Sequence, residues 1–337
     1  MSAAAKAALI SEIYRSARDF FYDLKYVEVA APHIVECTVT DPHIESIQVD
    51  KSPATQASGV KDCFLHTSSE FFQKKLLAAG VQDNFTLGKV FRADEQGRHH
   101  REEFSMCEWY RVGGTLEQMT QEAVDLVFML FKRFGLGQLD NILSTISFDD
   151  AVREITGIDI SIRQLGTDSE KKQFTNQLFE YACDQCGFQA KTKMVHDRTD
   201  LIQLIDLIFS MKVQPCLKGV TIVKNFPYEH AALAQVVQDK NGYQYALRSE
   251  VYVQTPHAVL ELANGYQEMN DAIELRRRFN EDNRIRQASG KNLVHPDQHL
   301  FTAAEKGIPD CAGIALGFER LLMVLTNVRA IEELSLL

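Results

Sequence analysis

Apolar positions near the start of the chain fall at helical spacing. Leu9, Ile13, Ala17, Phe20, Phe21 and Leu24 share one face, which predicts a helix over residues 5–25. A second helix is predicted over 115–134, starting near Thr115 and stopping at Gly135. The stretch from about 145 to 215 is also helical in pattern. Its last helix is expected to open at Thr199 or Asp200 and to end before Pro215. Elsewhere the period drops to two. Val236-Val237-Gln238 and Tyr243–Val253 flank Asn241-Gly242, a dipeptide suited to the positive φ angles of a tight hairpin. The second of these strands sets Arg248 and Glu250 on one face and Leu247, Val251 and Val253 on the other; a further strand is expected from Ala258 to Ala263. Antiparallel pairing of the two would bring Glu250 near Glu261, unfavourable for two anions unless a cation lies between them. A hard divalent ion such as Mg²⁺ suits that oxygen pair.

The most informative period-2 segment is Val90-Phe91-Arg92-Ala93-Asp94 and Arg101–Tyr110, two strands joined by a polar loop. Alternation places Phe104, Met106, Glu108 and Tyr110 on one sheet face. An ordinary core face would not hold a carboxylate between an aromatic ring and a phenol, because an unpaired buried charge costs several kcal/mol. Such a face suits a flat π-system and an ammonium group, with Arg92 near for a phosphate. The pattern points to a nucleotide beside an amine.

Composition changes this picture little. The chain has 337 residues, 45% of them hydrophobic, and shows no repeat, low-complexity segment or Pro/Gly/Ser linker. No apolar run approaches the ~20 residues of a membrane span, and the N-terminus lacks a signal-peptide core, so a cytoplasmic location is expected. A net charge of −10 argues against a large nucleic-acid footprint. Seven scattered cysteines do not form a disulfide framework, and Cys183-Asp-Gln-Cys186 has no second ligand pair for zinc.

Five segments, in order, resemble those of class II aminoacyl-tRNA synthetases in their lysine-specific form. Phe21–Pro32 resembles motif 1, a long helix leading into a strand that ends at proline; Val90–Tyr110 resembles motif 2; Gly313-Ile-Ala315-Leu-Gly317-Phe-Glu-Arg320 resembles motif 3. His66-Thr-Ser68-Ser-Glu70 and Glu261-Leu-Ala-Asn264-Gly-Tyr-Gln-Glu268 resemble the two substrate segments. Within the class the chain is most similar to the elongation factor P–(R)-β-lysine ligases, truncated paralogues that act on a protein rather than a tRNA. Ala315, where the tRNA-charging enzymes usually carry glycine, and Pro309-Asp310-Cys311 also resemble that branch.

The resemblance implies an α+β fold: a mainly antiparallel sheet flanked by helices, forming one catalytic domain over 1–337 with a helical insertion at about 145–215 and no anticodon-binding domain. It also implies a homodimer built on motif 1. Catalytic arginines would be Arg92, on the α-phosphate, and Arg320, on adenine and the γ-phosphate. Other ATP contacts would be Asp94, Arg101, Phe104, Glu261, Leu262 and Gly317, with Glu250 and Glu261 holding Mg²⁺. Ser68, Glu70, Glu108, Tyr110, Asn264, Glu268 and Ala315 would bind a lysine-like diamino acid. Among these, Glu70, Glu268 and Tyr110 match the side-chain amine site, Glu108 the α-amino side and Asn264 the carboxylate. Gly313, Ala315 and Gly317 alternate along a strand, leaving a bare face for substrate to approach the backbone. The chain departs from the family at Ala93-Asp94 (usually Asn-Glu), at Arg101 (usually Asn), and in the eleven-residue separation of Glu250 and Glu261, normally seven.

The implied reaction is attack of an ionised carboxylate on the α-phosphorus of ATP. It needs no general base, only alignment and neutralised phosphate charge, which accounts for arginines where a hydrolase would show a Ser-His pair. The adenylate would then pass to a lysine of elongation factor P. Two alternatives remain at this level: a tRNA-charging enzyme, and a non-catalytic paralogue that senses an amino acid, the latter motivated by Ala93, Asp94 and Arg101.

Overall fold

The computed structural model describes residues 2–50, 62–137, 139–140, 142–188 and 198–336. It divides into two compact units, Met1–Gly137 with Leu262–Leu337, and Gln138–Glu261. In chain order, α1 (Ala3–Asp23) precedes three short strands, β1 (Val27–Glu28), β2 (Ile34–Val35) and β3 (Phe64–Leu65). Helix α2 (Glu70–Ala78) leads to β4 (Asn84–Phe91), β5 (Glu103–Val112) and α3 (Leu116–Phe134). The second unit supplies β6 (Leu143–Ser147), α4 (Phe148–Thr156), α5 (Ile162–Leu165), α6 (Asp168–Cys186), α7 (Arg198–Ile208), β7 (Val220–Pro227), β8 (Val236–Gln238) and β9 (Gln244–Gln254). Strand β10 (Val259–Gln267) starts in that unit and finishes in the first, which closes with α8 (Ala272–Ala288), α9 (Gln298–Gly307), β11 (Cys311–Gly317) and α10 (Phe318–Thr326).

In the first unit the strand order is β1-β4-β5-β11-β10, antiparallel except for the β1–β4 pair. The mainly antiparallel α+β arrangement expected from the resemblance is the one found. Helix α1 covers one face of this sheet through Ile13, Ala17 and Phe21, all fully buried. Phe21 stacks on Phe85 at 4.7 Å and lies 5.0 Å from Trp109, which faces Phe85 across β4 and β5. Each such ring contributes about 1.5–3 kcal/mol by leaving water. Because side chains alternate, committing Trp109 to this core sends Glu108 and Tyr110 to the opposite face. The helix ends one residue before Leu24; Lys25, at φ 69°, turns the chain and leaves Leu24 exposed. Helix α3 begins as its sequence predicts, with Thr115 and Gln118 forming a reciprocal cap.

In the second unit β6 pairs in parallel with β7, and β7 and β8 both pair antiparallel with β9. The predicted hairpin closes at Gly242, whose φ of 88° only glycine adopts without strain. Strand β9 is followed by a turn in which Thr255 N–H donates to the Ala258 carbonyl, so the opening residues of β10 run beside it. The expected helical stretch contains α4 to α7, with β6 at its start. Helix α7 loosens into a wide turn over Phe209–Val213 and a tight one holding Pro215. Residues 189–197 lie outside the described ones, so the opening of this helix is recorded only from Arg198. No described helix is long and apolar enough to cross a membrane.

Candidate active site

Two registers across the first unit's sheet bring together residues expected to bind the amino acid. One row runs Thr86, Glu108, Ala315, Asn264 across β4, β5, β11 and β10; the next runs Asn84, Tyr110, Gly313, Tyr266. Four residues nominated from three separate segments thus share one face, and Ala315 sits between Glu108 and Asn264. Glu268, just past β10, is fixed by its N–H donating to the Cys311 carbonyl. Glu70 opens α2, the helix that follows the Ser68-Ser69 turn.

Glu108 is buried and well supplied with donors. It accepts from the Ser68 hydroxyl at 2.6 Å, from the Ser69 N–H at 2.7 Å, and from the Ser69 hydroxyl. Burial raises its carboxyl above the usual range, and these donors oppose the rise. Ser68 therefore orients Glu108 directly. Tyr110 is also buried, and burial with the charges of Glu70, Glu268 and Glu108 holds its phenol protonated, so it stays a hydrogen-bond donor.

Glu70 and Glu268 meet on a residue that the sequence reading passed over. The Lys74 ammonium lies 2.6 Å from Glu70 Oε1 and 2.7 Å from Glu268 Oε2, and Lys74 is almost wholly buried. Burial by itself would lower the Lys74 ammonium, but the Glu268 and Glu70 charges outweigh it and hold the group protonated. Burial raises Glu268, Glu70 and Glu108 push it the same way, and Lys74 opposes them. The signal was present in the chain: Glu70 and Lys74 are one helical turn apart.

Gly313 explains how these groups fit. A Cβ there would lie 2.3 Å from Tyr110 Cε1 and 2.6 Å from Glu268 Oε1. The bare strand face expected to admit substrate is filled at Gly313 by the protein's own pocket side chains. At Gly317 a Cβ would meet only Arg320, at 3.8 Å.

The residues expected to contact a nucleotide lie on the β4–β5 loop and at the β11–α10 junction. Arg92 follows β4, donates to the Thr67 carbonyl at 3.3 Å, and lies over the Phe104 ring at 5.2 Å. One face of the ring expected to stack on adenine is therefore covered by Arg92 here. Asp94 adopts φ 61° and its N–H donates to Glu102 Oε1. Aspartate tolerates this left-handed conformation better than the longer glutamate of the family pattern. Arg320 pairs with His100 at 2.6 Å, tying the loop that carries Arg101 to the start of α10. Leu262 is buried.

In the second unit, Glu250 is buried, and the Glu261 charge is among the causes raising it, after burial. Glu261 lies in the opening residues of β10, which run beside β9 and its Glu250. Glu250 accepts from Arg248 at 2.5 Å and from the Tyr252 hydroxyl, while Arg248 donates to the His230 carbonyl at 2.9 Å. Arg248 supplies positive charge beside this pair. Carboxylates are oxygen donors of the kind that suits Mg²⁺, and here Arg248 and the Tyr252 hydroxyl engage both oxygens of Glu250. No group of three or more metal-binding side chains occurs among the described residues.

Comparison with known proteins places these geometries in context. The family model for class II tRNA synthetases (D, K and N) matches residues 2–337. A protein of Pseudoalteromonas translucida named elongation factor P–(R)-β-lysine ligase is 36% identical over 323 residues, covering 95% of this chain and 91% of its own length. Proteins of the same name from Vibrio parahaemolyticus and Salmonella dublin are each 33% identical, over 98% and 97% of this chain and 93% and 92% of theirs.

Proposed function

Since the chain belongs to the class II tRNA synthetase family, and within it to the elongation factor P–(R)-β-lysine ligases, we propose that it activates (R)-β-lysine with ATP and transfers it to a lysine of elongation factor P. The observation that carries this reading is the gathering of Glu70, Glu108 and Glu268 about Tyr110, with the Lys74 ammonium between Glu70 and Glu268. Three acids around one cation leave room for the two positive charges of a diamino acid.

In the first step the substrate carboxylate oxygen bonds to the α-phosphorus, the bond from that phosphorus to the bridging oxygen breaks, and pyrophosphate leaves. Arg92 stabilises charge on the α-phosphate and Arg320 on the γ-phosphate. Phe104 stacks on adenine, with Asp94, Arg101, Leu262, Glu261 and Gly317 completing the nucleotide contacts. Glu250 and Glu261 are the proposed Mg²⁺ ligands; the ion supplies positive charge to the phosphates when bound. Glu268, Glu70 and Tyr110 hold one amine, Glu108 as oriented by Ser68 holds the other, and Asn264 and Ala315 shape the carboxylate end. In the second step the neutral amine of the acceptor lysine attacks the adenylate carbonyl, forming an amide and releasing AMP.

The same reading assigns a cytoplasmic location and a homodimer. Exposed Tyr22, Leu24, Val27 and Ile34 around the edge strand β1 supply an apolar surface for that dimer. Intact-mass analysis of elongation factor P, after incubation with this protein, ATP, Mg²⁺ and (R)-β-lysine or α-lysine, tests the proposal. A gain of one aminoacyl group is expected; an unchanged mass in every mixture overturns it.

A further inference from the structure

Lys74 makes no contact that the reaction as written requires, yet it is the most deeply buried cation of the pocket. It reaches from α2 to Glu268 beyond β10 and returns to Glu70 on its own helix. Ordinary stability does not explain the choice. A buried charged triad is expensive to desolvate, and apolar side chains of similar volume often serve a core equally well or better. A resident ammonium between the two acids nominated for a substrate ammonium has a different consequence. It opposes the protonation of Glu268 that burial and the Glu70 charge favour, and it fixes the direction in which both carboxylates point.

We infer that Lys74 is a positioning residue for the diamino acid, an internal counter-cation that pairs with both Glu70 and Glu268 and aims them, so that the pocket accepts an ammonium rather than a neutral side chain. The inference rests on the amine-binding role proposed for these acids. The charge count supports it: Glu70, Glu108 and Glu268 bring three negative charges and Lys74 one positive, leaving two for a substrate with two amines. The groups facing the triad are Glu108 and Tyr110 from β5 and Cys311 from β11. Burial raises both Tyr110 and Cys311, so neither adds charge near neutral pH.

The test is diamino-acid-dependent ATP–pyrophosphate exchange by the full chain, measured from pH 6 to 9 for wild type, Lys74→Met, Lys74→Gln and Lys74→Arg. Glutamine retains donors without charge, so it keeps the test open if the methionine variant does not fold. Both neutral variants should raise the diamino-acid KM roughly tenfold or more at pH 7, about one pKa unit of lost ionisation, with the ATP KM within about twofold of wild type. The deficit should shrink towards pH 9, where Glu268 ionises without help and the side-chain ammonium of the substrate, with a pKa of about 10.4, stays largely protonated. Lys74→Arg should keep the wild-type pH profile. A deficit equal at every pH and shared by ATP makes Lys74 merely structural and overturns the inference, as does a neutral variant that matches wild type throughout. Failure of the functional reading itself is distinguishable: wild type then shows no diamino-acid-dependent exchange at any pH.

Discussion

Replacing Gly313 with alanine tests the packing on which the amine pocket depends. The added Cβ would stand 2.3 and 2.6 Å from two carbons of the Tyr110 ring and 2.6 Å from Glu268 Oε1. Ordinary contact begins at 3.4 Å, so the ring must retreat by about 1 Å. It has little freedom to do so, because Tyr110 is buried on β5, itself hydrogen-bonded between β4 and β11. Glu268 can swing only by leaving Lys74. Overpacking of this kind costs about 1–3 kcal/mol. If that strain falls on the bound state, kcat/KM for the diamino acid drops roughly 5- to 150-fold, at about 1.4 kcal/mol per decade. Pyrophosphate exchange at varied diamino acid and varied ATP, with urea unfolding of the same samples, separates the effects. Gly317→Ala serves as the control, since its Cβ meets Arg320 only at 3.8 Å and should shift stability by no more than about 0.5 kcal/mol. Wild-type stability and wild-type diamino-acid KM in Gly313→Ala would refute the reasoning.

Glu268→Gln should raise the diamino-acid KM by tenfold or more while the ATP KM stays nearly unchanged, on the order expected for losing a charge-assisted contact; equal loss for both substrates contradicts the assigned pocket. Arg320→Ala should lower kcat of adenylate formation by about 10²–10³, the usual consequence of removing a donor to transition-state charge, as read by single-turnover assays. Glu250→Gln should raise the Mg²⁺ concentration for half-maximal exchange several-fold, and an unchanged Mg²⁺ titration argues against its role as a ligand. Asp282, which accepts from Thr40 at 2.7 Å, is raised by burial from 3.8 to about 6. The folded state therefore binds a proton that the unfolded chain does not between those values, so this group's contribution to stability rises as pH falls through 6 towards 4. Asp282→Asn should remove that gain, about 1.3 kcal/mol of it between pH 7 and pH 5, measurable as urea unfolding at the two pH values.

Much of the site was readable because it is written in short-range patterns. Period-2 alternation located Phe104, Met106, Glu108 and Tyr110 together, and β5 carries them as a strand from Glu103 to Val112. The Asn241-Gly242 turn and the caps of α3 depend on local backbone chemistry, so they too were legible. Lys74 was not singled out, although Glu70 stands one turn before it, because its second partner, Glu268, is far along the chain. The same holds for Gly313: its alternation with Ala315 and Gly317 suggested space for substrate, but only the register opposite Tyr110 shows that this space is already filled.

The order of apolar and polar residues was enough to locate α1, α3, β5, the β8–β9 hairpin and the strand face carrying Glu108, since side-chain direction follows from the local repeat. Which acids share a cation, which face of Phe104 is covered and what occupies the void beside Gly313 were decided only when distant segments met. Coulomb forces and excluded volume act through space, and a linear pattern carries no distances between residues two hundred positions apart.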